Sequence, residues 1–236
     1  MIVSSGLIVP STFDTPALDS VLMMDGREPT LTSQAHSAIM GHAQASRAPT
    51  AQQLASIASF EQNLFSSRAM KEYARTGVAP ALPAGTTASE QRGRVFFEPT
   101  GLCGSCHNGA LLNETTGTNP LGLPAGSRFA SSAVAEFNKL NRPVHEFIIT
   151  LPDGTQQRRF SPDPGRFLIT GNLRDWNFFK MTPLRNIRNT APYFHDNSAK
   201  TLEDVMAQYT ELFLLDAGIV ITPQEQADII AYMKVL

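Results

Sequence analysis

Read as a pattern of apolar and polar positions, the chain is a run of amphipathic helices broken by Gly/Pro-rich gaps and one alternating segment. Residues 1–29 are interrupted by Pro10, Pro16, Gly26 and Pro29 and predict no regular element. From about Thr30 to Gln44 the helical period puts Leu31, Ala35, Ala38, Ile39 and His42 on one face. His42 there reads as a packed or second-shell histidine rather than a ligand. Thr50-Ala51-Gln52-Gln53 is a capping box, and the helix it opens lines up Leu54, Ile57, Ala58, Glu61, Leu64 and Phe65 as a core stripe. After Tyr73 the stretch Gly77 to Gly85, rich in Pro, Gly and Ala, is the candidate domain boundary. A second capping box, Thr87-Ala88-Ser89-Glu90, starts a helix that runs through Phe96 and Phe97. Residues 108–142 carry many Gly, Asn, Pro and Ser and read as loop.

Only 144–160 changes the period. Phe147 to Leu151 and Thr155 to Phe160 flank Pro152-Asp153-Gly154, which predicts a hairpin and the only sheet of the fold. Two helices close the chain. Glu203 and Asp204 suit the positive end of the one after Thr201, and Thr222-Pro223-Gln224-Glu225 joins an N-cap, a proline at N1 and a glutamate at N3. No internal repeat is present.

Between the second capping box and the long loop stands Cys103-Gly104-Ser105-Cys106-His107, the attachment pattern of a c-type haem. Two thiols on a short turn match the two vinyl groups of the porphyrin, and the next imidazole swings beneath the iron. A zinc site needs further ligands at knuckle spacing, and the chain has 2 cysteines in all. A disulfide across so short a loop would stabilise little. Composition adds limits. At 236 residues and 42% apolar content, one large or two small domains can bury a core. A net charge of −2 without a basic run gives nucleic acid nothing to hold, and no stretch reaches the length of a membrane span. Residues 1–10 lack the basic start and long apolar core of a signal peptide. Covalent haem in bacteria is attached outside the cytoplasm, so the expectation is a removed leader or a longer parent chain.

The segment Phe179-Lys180-Met181-Thr182-Pro183-Leu184-Arg185-Asn186, then Thr190-Ala191-Pro192-Tyr193-Phe194-His195-Asp196 and Ser198 to Val205, resembles the C-terminal haem domain of bacterial di-haem cytochrome c peroxidases. Their relatives include the di-haem enzyme that matures tryptophan tryptophylquinone. Pro164-Gly165-Arg166, Thr170-Gly171-Asn172 and Asp25-Gly26-Arg27-Glu28-Pro29-Thr30-Leu31 agree with the resemblance. It implies a mainly α fold: residues 81–236 as a cytochrome c-like domain with one covalent haem and one small hairpin. Residues 1–80 would be a partial helical domain, the tail of the family's first haem domain without its haem motif.

The departures are specific. The family carries two haem motifs and this sequence one. Where the family has a tryptophan between its haems stands Met24, and Gln44 falls at the acidic residue that cleaves peroxide. An amide cannot take the proton a carboxylate takes. For the sixth iron position, the helix after Thr201 offers Met206 and Tyr209 on one face with Leu202, Val205 and Phe213. By the resemblance, an ungapped count from His195 selects Tyr209. Met181 is a third sulfur, in an extended stretch. The resemblance also implies a calcium ion held by backbone carbonyls of Thr190 and Pro192, with Asp14 near its side-chain position. His195 would hold its loop by hydrogen bonds. Arg185 would meet a haem propionate, an interdomain carboxylate or a surface partner.

The expected function is therefore the electron-relay part of a peroxidase-like oxidoreductase, served by a small redox protein in the periplasm. It would work with the missing first haem domain or a second subunit. The alternative is a stand-alone mono-haem electron-transfer cytochrome.

Overall fold

The helices begin where the sequence places their caps. The computed structural model describes residues 13–236, so the reading of residues 1–10 as lacking a signal lies outside the described residues. After a single turn, α1 (Thr15–Leu18), comes α2 (Leu31–Ser37), opened by reciprocal bonds between Thr30 and Ser33. It runs on as a π-helical turn, Ala38–His42. Ala35 is buried as expected, whereas His42 is exposed. The Thr50–Gln53 capping box opens α3 (Ala51–Glu61). Its stripe is half-buried rather than core, because α3 packs against α2 and touches α1 only lightly. The sequence reading passed over α4 (Arg68–Thr76), which Ser67 caps and Gly77 ends with a φ of 73°. Residues 77–86 then carry no helix or strand, as the linker reading expects.

The second part starts at α5 (Ala88–Val95), with Thr87 and Glu90 closing its box. There follow β1 (Phe129–Ala130), α6 (Val134–Phe137), β2 (His145–Thr150), β3 (Gln156–Ser161), α7 (Phe167–Thr170) and β4 (Phe179–Lys180). The chain ends with α8 (Leu202–Ala217) and α9 (Pro223–Met233). The hairpin is present, β2 pairing antiparallel with β3 from His145↔Ser161 to Thr150↔Gln156. It is not the only sheet. β1 pairs antiparallel with β4, Phe129 facing Lys180. Strands of two residues have no alternation to read, which is why the pattern missed them.

The core gathers Phe97, Leu112, Leu184, Ile187, Val205, Met206, Phe213, Ile229, Tyr232 and Met233. All come from residues beyond the linker. Its tightest crossing is α5 on α9. A Cβ on Gly93 would lie 2.0 Å from the Asp228 carbonyl oxygen. Beside it Arg92 grips the Asp228 carboxylate with Nε at 2.7 Å and Nη2 at 2.9 Å. Among the described residues no helix is long and apolar enough to cross a membrane.

Candidate haem site

The turn after α5 folds the haem motif back onto the helix end. The backbone N–H groups of Cys103 and Gly104 both donate to the Phe96 carbonyl at 2.9 Å, and His107 N–H donates to the Cys103 carbonyl at 2.8 Å. Gly104 has no alternative there, since a Cβ would stand 2.1 Å from the Glu98 carbonyl oxygen. Cys103, Cys106 and His107 thereby come to one wall of a cavity of about 430 Å³. His107 Nδ1 lies 3.1 Å from the Leu112 carbonyl. With the Nδ1 proton donated there, Nε2 is the nitrogen left to bind a metal. Burial holds the imidazole pKa below its ordinary value, which keeps the ring neutral as a ligand must be. Burial, then the nearby Cys106, pushes the Cys103 thiol up to about 12.

The facing wall comes from α8. Tyr209 lines the cavity with its ring centroid 6.5 Å from that of His107, the planes at 83°. Met206, one turn earlier and buried, lines it too. Phe194 and Phe213 flank Tyr209 at 6.0 Å and 5.8 Å, and burial raises the phenol pKa. The donor set fits a c-type haem: two free thiols, an imidazole with Nδ1 bonded to a carbonyl, and a phenol line a cavity whose wall is largely apolar.

No protein-family model matches the chain. The cytochrome-c peroxidase IdrP1 of Denitromonas iodatirespirans is 29% identical over 160 residues, 65% of this chain and 41% of that protein. The cytochrome c551 peroxidase of Nitrosomonas europaea is 40% identical over 76 residues, 32% of this chain and 22% of its own length. Both relatives are cytochrome c peroxidases, the family that residues 164–205 resemble, and the likeness to each covers part of the chain. It spans about two-fifths of the length of the first of these relatives, 41%. The crystal structure of a MauG-like protein associated with microbial copper homeostasis shares the fold, with a TM-score of 0.59 at 24% identity, over 92% of this chain and 69% of that one.

The remaining expected residues separate into two groups. Met24, buried, and Met181, just after β4, both line the cavity. Thr190 and Pro192 line it as well. Gln44 is exposed at a φ of 50° and His42 is exposed beside it, both outside the cavity lining. Asp14 is buried, its carboxylate accepting from the Ser66 N–H at 2.9 Å and from the Ser66 hydroxyl. Among the described residues no three or more His, Cys, Asp or Glu gather as a metal site.

Two further residues of the cavity wall have partners that can be named. Arg185 lines the cavity but is taken up by carbonyls: its guanidinium donates to Ala110 at 2.7 Å, Pro80 at 2.6 Å and Ala81 at 3.4 Å. It ties the linker to the haem loop. His195 is buried, and its ring stacks on that of Phe179, 3.4 Å away and tilted by 5°. Sequence reasoning missed one feature of the cavity wall, the buried Lys180 and the carboxylate of Asp19 that meets it at 2.7 Å. A lysine inside the apolar run Phe178-Phe179-Lys180-Met181 is the signal that was there to read.

Proposed function

We propose that the chain carries one covalent haem c and acts as the electron-transfer part of a cytochrome c peroxidase-like oxidoreductase. Electrons would pass through it toward a second, peroxide-reducing haem for which its sequence has no attachment motif. The observation that carries this reading is the facing of Cys103, Cys106 and His107 on one cavity wall with Tyr209 on the other. When bound, the haem supplies an iron that takes and gives one electron at a time. The chain's own residues do the rest. Cys103 and Cys106 would hold the haem as thioethers, each S–H bond and one vinyl π bond giving way to one C–S and one C–H bond. His107 would hold the iron through Nε2, its Nδ1 being engaged by the Leu112 carbonyl. Tyr209 would offer its phenol oxygen to the iron, and Met206, which lines the same cavity, would pack beside the group.

On this reading residues 81–236 are a cytochrome c-like haem domain and residues 1–80 the tail of a first domain. The half-buried stripe of α3 supports the second assignment, since a domain tail lacks the partner that would complete its burial. The electron donor would be a small redox protein in the periplasm, and a calcium ion, if used, would sit on the Thr190 and Pro192 carbonyls. The stand-alone mono-haem reading is favoured by Gln44, which is exposed, is an amide, and does not line the cavity. Peroxide turnover separates the two from the parent family: the chain alone should show no more than any exposed haem. Robust steady-state peroxidase activity would overturn that.

Tyr209→Phe tests the ligand assignment. It keeps ring volume and removes the coordinating oxygen, so the ferric spin state should change and any phenolate-to-iron charge-transfer band should vanish. The potential should rise, because the ferric form loses its anionic partner. Met206→Leu should leave those spectra alone. A methionine-to-iron band lost in Met206→Leu, with Tyr209→Phe silent, would reverse the assignment.

A further inference from the structure

Where the N-terminal stretch crosses the haem domain, charge is buried. Met24 accepts from the Lys180 N–H at 2.7 Å, laying that stretch along β4. Just past α1, the Asp19 side chain is wholly enclosed, and so is that of Lys180. Four groups converge on the carboxylate: Lys180 Nζ at 2.7 Å, Arg128 Nη2 at 2.9 Å, the Val21 N–H at 2.9 Å and Asn113 Nδ2 at 3.1 Å. The Lys180 ammonium also donates to the Val21 carbonyl at 2.6 Å. Arg128 is the outer cation, its Nε on the Asn113 carbonyl at 3.1 Å. Lys180 lines the cavity between its neighbours Phe179 and Met181.

A buried ion pair is a poor way to gain stability. Taking both charges out of water costs several kcal/mol, and an apolar pair of similar volume often does as well. This cluster is also unbalanced, two cations sharing one carboxylate. Out of water a charge is weakly screened, so it acts on any neighbouring centre whose own charge changes. The cavity that Lys180 lines is where such a centre would be held.

We propose that Asp19, Lys180 and Arg128 form a fixed electrostatic unit that sets the redox potential of the haem held at Cys103, Cys106 and His107. The cations favour the less positive, reduced iron, and Asp19, contributed by the N-terminal stretch, limits that preference. The proposal rests on the haem reading of the cavity. It gives the N-terminal residues a role in the chemistry of a domain they do not belong to.

A charge cycle on the full-length holoprotein tests it. Covalent haem is first counted by pyridine haemochrome in the parent, Asp19→Asn, Lys180→Met and the double variant, and midpoint potentials are then titrated spectroscopically at one pH. Lys180→Met should lower the potential and Asp19→Asn should raise it. The double variant, which loses one charge of each sign, should return close to the parent. Loosened packing that admits water would move both single variants the same way and the double variant further. That pattern, or silent single variants, overturns the proposal while leaving the haem reading intact. A parent without covalent haem overturns the haem reading and the proposal with it. Should Lys180→Met fail to retain haem, Arg128→Met removes a cation from the same cluster and should lower the potential. An unchanged potential there counts against the proposal.

Discussion

The helices before the linker and those after it are written in the same local code and end in different surroundings. Thr50 caps α3 with the same reciprocal bonds by which Thr87 caps α5, Thr201 caps α8 and Thr222 caps α9. Yet α3 has no fully buried residue, whereas α8 buries Leu202, Val205, Met206, Gln208 and Phe213. A capping box and a period decide where a helix starts and which face is apolar. They do not decide what that face meets. After the linker, α8 and α9 close around the haem motif. Before it, α2 and α3 have chiefly each other.

Removing the haem anchors should exaggerate that contrast most. Cys103→Ala with Cys106→Ala should abolish covalent haem and leave residues beyond the linker largely unfolded, because the apolar ring they enclose would be gone. A cooperative melt close to the parent's would show that the haem is no part of this core. Next in size is Gly93→Ala. With the Asp228 carbonyl oxygen 2.0 Å from the added carbon and Tyr232 Cβ at 2.8 Å, α5 and α9 must part. The expected loss is about 3 kcal/mol, at the upper end for overpacking, read from urea unfolding. On the other side of the linker, Phe60→Ala on exposed α3 should cost no more than about 0.5 kcal/mol. Equal losses from the two would erase the distinction between the regions.

His195 sharpens the comparison through pH. Burial carries its imidazole from 6.5 down to about 4, with Asp163 and Asp196 opposing and Arg142 assisting. The folded chain therefore binds this proton less readily than the unfolded one. Its contribution is complete above pH 6.5 and falls away as pH drops from there toward 4. His195→Phe keeps a ring against Phe179 and removes the titration, so its urea midpoint should lose less between those two pH values than the parent's does. An identical slope in both proteins would mean that His195 does not titrate in this window.

Much of this was legible in the sequence because it is local. Each predicted N-cap bond forms, the Asp153-Gly154 hairpin turns where expected, and Cys103, Cys106 and His107 line one cavity. Four features were not legible, each for a physical reason. In α4, Met70 is the sole buried residue among charged neighbours, too weak a stripe to detect. The β1–β4 pair is too short to alternate. Arg185 and His195 showed their residue type but not their partners, which lie far along the chain or across a ring face. Asp19 and Lys180 meet only through the tertiary fold, and no spacing rule joins them.

The central claim is that one haem is covalently bound to Cys103 and Cys106. A pyridine haemochrome assay on the purified 236-residue chain, made in a host that exports and matures c-type cytochromes, tests it most directly. The account predicts one haem per chain, with the thioether-type spectrum, surviving acid–organic extraction. A chain that yields no haem, or haem that extracts freely, would contradict it.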